Sequence, residues 1–288
     1  MRAAQLRRSI SCARLAISER EPGATVVMNN GAPLRFLLPL CALLSGCGES
    51  VEQPLEQVSE KSYAVDRDAN FSIKNGDGSI RIYGSEKPEV KVQAIKKAYS
   101  GERLNKIAIN ISVRPGSVSI ETHFPPKQTW GFSDRSGTVD YIIVVPKTAK
   151  ISHLELANGE VLIDSMGGED VHANLTNGRL FAHNCFGDLH LAVISGGLDL
   201  IYDWWDQRRF SVEADILDGN ARAFVPGDAS FHLIAETRNG RIATDFGAQK
   251  ERNGGEVTKI DTVIGTAAGS EIKIRATHGN IKIVEANP

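Results

Sequence analysis

The chain is short of the residues that usually announce metal or redox chemistry. Its four cysteines, Cys12, Cys41, Cys47 and Cys185, form no CxxC pair and supply no disulfide framework. The formal net charge is only -2, with basic and acidic residues interspersed, so there is no general electrostatic pull toward nucleic acid and no nucleic-acid partner is expected. Aromatic residues make up just 6% of the chain against 27 glycines, a balance that suits many tight turns between narrow layers. The apolar run from Phe36 to Leu44 is too short to cross a bilayer as a helix.

That short run reads instead as an address. From Met28 the sequence is MNNGAPLRFLLPLCALLSGC: a polar start with Arg35, the apolar run, then Leu44-Ser45-Gly46-Cys47. The ending resembles the bacterial lipobox, which implies cleavage before Cys47 and acylation of its thiol. Several acyl chains would then anchor the protein durably where a single one does not. Residues 1–27 are expected to be an upstream extension, 28–46 a lipoprotein signal peptide, 47–62 a flexible polar tether and 63–288 the folded domain. The membrane, reached through Cys47, is the expected first partner. By lipoprotein-sorting analogy, Gly48 points to the outer membrane.

What the chain has in abundance is one line written many times. Residues Leu154 to Ile163, Ala173 to Ala182, Ala192 to Leu200 and Ala214 to Ala223 share a grammar of alternating apolar residues, a polar-Gly pair, one free position, then apolar, any, apolar. The glycines are Gly78, Gly116, Gly159, Gly178, Gly196, Gly219, Gly240 and Gly279. The middle spacings are 178-159 = 19, 196-178 = 18, 219-196 = 23 and 240-219 = 21 residues. Alternation predicts half-buried strands, glycine a sharp corner, and a period near twenty a repeat array. The expected fold is an all-β, parallel β-helix-like solenoid of short strands, with equivalent positions about 4.8 Å apart up the stack. An antiparallel β-meander is the alternative, because Asn-Gly between apolar runs is also a hairpin signal.

The stretch from about Phe71 to Val284 resembles the bacterial putative-adhesin family of β-solenoid domains. The resemblance is carried by Val144-Val145-Pro146 leading into LELANGEVLI, then LTNGRLFA, ISGGLDL, ETRNGRIATDFG and a closing THGNIKI. It implies the architecture and brings no catalytic motif with it. The expected function is therefore a lipid-anchored, non-enzymatic envelope scaffold for adhesion or ligand interaction, its partner a glycan or an envelope protein. No cofactor is expected. A polysaccharide-processing enzyme on a β-helix is the alternative, and Asp199, Asp203 and Asp206 with Arg208 or Arg209 come nearest to its requirements. A third reading is a structural protein stacking end to end through an uncapped last rung.

Two candidate sites follow from the register. His153, His172 and His190 each stand six residues before a repeat glycine, with Glu213 in the same place one unit later. Outward imidazoles on adjacent rungs could share a divalent metal, with Glu213 or Glu155 nearby, or titrate as a column. Trp204 and Trp205, flanked by Asp203 and Asp206, interrupt the array and account for its longest spacing. Exposed rings beside carboxylates suit sugar recognition, although alternation would bury one of the two. Trp130 is a second aromatic candidate, and Cys185 is expected to be a packed small residue.

Overall fold

In the computed structural model the described residues are 53–126, 136–247, 251–253, 257–266 and 269–286. The signal segment, Cys47 and Trp130 lie outside them. The described strands, in chain order, are β1 (Leu55–Ala64), β2 (Asn70–Ser85), β3 (Glu89–Ala98), β4 (Ala108–Arg114), β5 (Ser117–His123), β6 (Thr138–Pro146), β7 (Lys150–Asp164), β8 (Val171–His183), β9 (Leu189–Ile201), β10 (Ser211–Pro226), β11 (Phe231–Asn239), β12 (Ile242–Thr244), β13 (Glu251–Asn253), β14 (Val257–Ile264), β15 (Ser270–His278) and β16 (Ile281–Ala286). One short helix, α1 (Gly101–Lys106), lies between β3 and β4. Ser100 caps its start by accepting from the Arg103 amide.

The centre of the protein is a parallel stack. β2, β7, β8, β9 and β10 lie side by side in one direction, so the expected solenoid is present and the meander is excluded there. Each rung is a single strand folded at its Asn-Gly or equivalent corner, and burial alternates on both sides of the fold: Leu154, Leu156, Val161 and Ile163 point inward on β7. The same positions repeat as Ala173, Leu175, Leu180 and Ala182 on β8. Each large aliphatic side chain so buried contributes about 1.5–3 kcal/mol, which explains why a lone rung, with its inner face uncovered, needs its neighbours.

The corner glycines explain the tightness of the stack. Gly178 has φ +132°, and a Cβ built on it would overlap the carbonyl oxygen of Gly159; Gly196 meets Gly178 in the same way. Beside them the amides bridge rungs, Asn177 Nδ2 donating to Asn158 Oδ1 at 3.0 Å and Asn158 Nδ2 to Asp77 Oδ1 at 2.8 Å. Gly116 departs from the expected pattern. It sits in the tight turn of the antiparallel β4–β5 hairpin and makes no rung corner.

Both ends of the stack are closed differently from expectation. The two halves of β2 are continued by separate strands, the first by β5 and β4, the second by β6, β3 and β1, with antiparallel pairing outside β5 and β6. β1 occupies residues expected to be tether. It pairs with β3 along its length, but its side chains are almost all exposed, so a polar sequence without apolar alternation concealed it. Leu104 is the buried residue of α1.

At the far end, the last rung in sequence is not last in space. β15 and β16 insert between β10 and the pair β11 and β12, and antiparallel β14 covers β11. The sequence order suggests an uncapped final turn near Pro288. Insertion instead satisfies both edges of β15, and β14 sits where end-to-end stacking would require an open edge on β11.

Candidate functional site

The expected histidine column is realised in part. His172 and His190 face each other in register, their rings stacked at 4.6 Å and 10° apart, and Glu213 follows on the next rung with Oε2 3.4 Å from His190 Nδ1. A register shift between Ile151 and Leu154 takes His153 out of strict line, and it contacts Glu155 at 3.1 Å instead. His172 bonds Asp170 at 3.0 Å, while Glu213 is drawn to Lys273 and Arg275. Each side chain is thus held by its own neighbour, and the lysine and arginine hold the Glu213 carboxylate well below the usual range. Among the described residues no three His, Cys, Asp or Glu side chains converge to hold a metal ion.

The tryptophan interruption divides inside from outside. Trp204 is 53% exposed and lies with its ring 5.6 Å from Phe186. Trp205 is buried, with Tyr202, Phe210 and Phe231 around it, so it belongs to the core and offers no face to a ligand. The acids expected to receive sugar hydroxyls are engaged. Asp203 Oδ2 takes bonds from His183 Nε2 at 2.8 Å and Asn184 Nδ2 at 3.0 Å, and Asp206 pairs with Arg208 at 2.6 Å. Of the four residues expected at this site, Trp204 is the one whose ring stays largely exposed to solvent.

His183 was not singled out by sequence, because it lies at the second corner where the Trp204 insertion blurs the repeat. It joins three rungs: Asp164 Oδ2 at 3.2 Å on one side and Asp203 on the other, with Asn184 completing the cluster at φ +49°. Burial opposes a charged ring here, but the two carboxylates outweigh it and raise the His183 pKa above its ordinary value. His232, between Asp261 and Glu271, is raised as well. Protonated histidine is favoured in the folded state, so this stabilisation is complete below the unfolded pKa of about 6.5 and is lost as pH rises through the folded value. The urea midpoint should therefore fall between pH 6 and pH 9 through these two rings. His183→Gln should remove part of that slope and the double variant with His232→Gln more; an unchanged slope in both would show that neither ring contributes.

Cys185 is fully buried and its thiol pushed up to about 12 by burial, consistent with a packed residue rather than a nucleophile.

A second cluster joins Asp199, named from the sequence only beside Asp203 and Asp206, to two arginines that the sequence reading did not single out. Asp199 faces outward yet is only 2% exposed, because Arg222 clamps it through Nε and Nη2 at 2.6 and 2.7 Å and Arg179 approaches at 3.5 Å. The Asp199 carboxylate raises the Arg222 pKa further, so that guanidinium stays charged. Both arginines lie over phenylalanine rings, Arg179 over Phe181 at 5.3 Å and Arg222 over Phe224 at 5.5 Å. A usable signal was present for the clamp: Asp199 and Arg222 each stand three residues after a repeat glycine. This clamp also separates Asp199 from Asp203 and Asp206, each of which has a different partner.

Similar solved structures include a putative cell adhesion protein from Clostridium sporogenes, at 16% identity and TM-score 0.49, covering 81% of this chain and 100% of that one. A putative adhesin from Bacteroides fragilis aligns at 11% identity and TM-score 0.30, covering 81% and 99%. One from Parabacteroides merdae aligns at 12% identity and TM-score 0.25, covering 80% and 97%. No curated protein matches. The family model described as Toastrack DUF4097 matches residues 67–284, from just before β2 into β16, and the chain belongs to that family.

Proposed function

We propose that the protein is a bacterial envelope lipoprotein, acylated at Cys47, whose solenoid is a non-catalytic scaffold for adhesion or ligand interaction. On this reading it stands on the outer membrane, facing the periplasm or the surface, and takes a glycan or another envelope protein as partner. The observation that carries the scaffold reading is the way the candidate acids are committed: Asp199 to Arg222, Asp203 to His183, Asp206 to Arg208. A glycosidase needs two carboxylates facing each other across a cleft and free to exchange protons with substrate. Here the carboxylates hold rungs and loops together, while Trp204 presents an open ring face. The lipobox supports the anchor.

The full chain, produced in a diderm bacterium fed an alkyne-tagged fatty acid, should become labelled and enter the membrane fraction. Cys47→Ser should lose both properties. An unlabelled wild-type protein would remove the anchor from this reading. Release of product from any polysaccharide offered to it would overturn the scaffold.

A further inference from the structure

The strands just past the glycine corner carry a groove of about 510 Å³, lined by Arg179, Gly197, Asp199, Asn220, Arg222 and Lys282 among others. Its side chains come from consecutive rungs. Arg179, Gly197 and Asn220 are register neighbours on β8, β9 and β10, and Asp199, Arg222 and Lys282 are neighbours on β9, β10 and β16. Gly197 opens the groove, since it places no side chain between Arg179 and Asn220. A Cβ there would come within 3.3 Å of Arg179 Cγ.

The charge in this groove is unbalanced. Three cations face one carboxylate, and Asp199 is spent on the two arginines. Lys282 has no ion-pair partner among the described residues. A guanidinium carries five N–H donors, of which Asp199 engages two from Arg222, so donors remain for a ligand. Clamping by Asp199 and seating over Phe181 and Phe224 fix both planar groups before any ligand arrives, which lowers the ordering cost of binding. Asn220 Oδ1 accepts from the backbone and side-chain amides of Asn280 at 2.9 and 3.1 Å, so its Nδ2 points no hydrogen bond at that pair.

We propose that this groove binds a linear glycan bearing oxyanion groups, carboxylate or phosphate, laid along the stacking axis. Cations stand on β8, β10 and β16, with β9 between the first two contributing Gly197 and Asp199, so at about 4.8 Å per rung an extended polymer meets positive charge two rungs on and again at the next. Asn220 Nδ2 beside them can donate to a sugar hydroxyl. The lining brings no exposed aromatic ring, which nucleic-acid bases would need for stacking. The proposal rests on the interaction-scaffold reading and gives it a ligand class, through lining residues that do not include Trp204.

Isothermal titration of the full chain with an oligogalacturonide and, separately, with a phosphodiester-linked mannose oligomer tests it. At least one should bind, and which one does identifies the oxyanion. Methyl esterification of the oligogalacturonide should abolish binding of that ligand. Lys282→Glu should weaken binding by roughly tenfold or more, while Lys87→Glu, an equal charge change on an exposed lysine between β2 and β3, should leave it within about twofold. Circular dichroism confirms that each variant is folded. No binding by either oligomer, or equal loss in both variants, overturns the groove. A glycan bound through Trp204 and indifferent to Lys282→Glu overturns it too, while leaving the scaffold reading standing.

Discussion

Gly178→Ala should lower the urea unfolding midpoint by an amount equivalent to at least about 3 kcal/mol. Two costs add. At φ +132° an L side chain is strained wherever it stands, and the new Cβ would also overlap the Gly159 carbonyl oxygen, a backbone atom that moves only if the neighbouring rung moves. That rung cannot retreat freely, because Asn158 and Asn177 tie the same corner together and Val161 and Leu180 are packed directly beyond it. Two other glycines separate the costs. Gly116 has φ +72° with open space around it, so Gly116→Ala pays the backbone cost alone, about 1 kcal/mol. Gly101 opens α1 with nothing within 4 Å of an added Cβ, and Gly101→Ala should be neutral or stabilising by up to about 1 kcal/mol. The order 178, 116, 101 in denaturation midpoints is the expected result. Equal effects at Gly178 and Gly116 would mean that the rungs are not held at their stacked distance.

That same corner shows why the fold was legible in sequence. One glycine per rung, with apolar residues two and four beyond it, encodes a bend followed by an inward-facing strand, and the structure places Val161, Ile163, Leu180 and Leu198 inside as that pattern requires. Because the rungs pair one to one, residues at equal distances from their glycines become neighbours. His172 and His190 were found on that principle. Applied three places after the glycine, it would have brought Asp199 to Arg222. It could not have brought Lys282 beside them, since nothing local to β16 says that it docks on β10 ahead of β12. Non-local insertion of this kind is decided by which edge is left open when the C-terminal strands arrive. The interior of a rung is written locally, but the order of rungs at the end is not. β1 was hidden for a different reason: an exposed edge strand buries little, so its sequence is free of the alternation by which strands are recognised.

The tryptophan pair gives the other large effect, and a direct reading of which side of the array the insertion serves. Trp205→Ala should cost about 3–5 kcal/mol, the range for emptying a buried aromatic site. Its ring lies 5.5 Å from Tyr202, 5.2 Å from Phe210 and 5.1 Å from Phe231, so the cavity would open among aromatic side chains drawn from β11 and the segment before β10. Those large rings cannot fill it by small rotamer changes without giving up their own contacts. Trp204→Ala removes a ring that is half in solvent and touches Phe186 only at 5.6 Å, and its cost should stay within about 0.5 kcal/mol. Denaturation of the two variants side by side therefore separates adjacent residues by several kcal/mol. The recognition role proposed for the interruption requires that split: one tryptophan filling the core, the next exposed and dispensable for the fold. If Trp204→Ala proved as destabilising as Trp205→Ala, that ring would be structural, and the interruption would lose its claim to be a recognition surface while the groove around Arg222 kept its own.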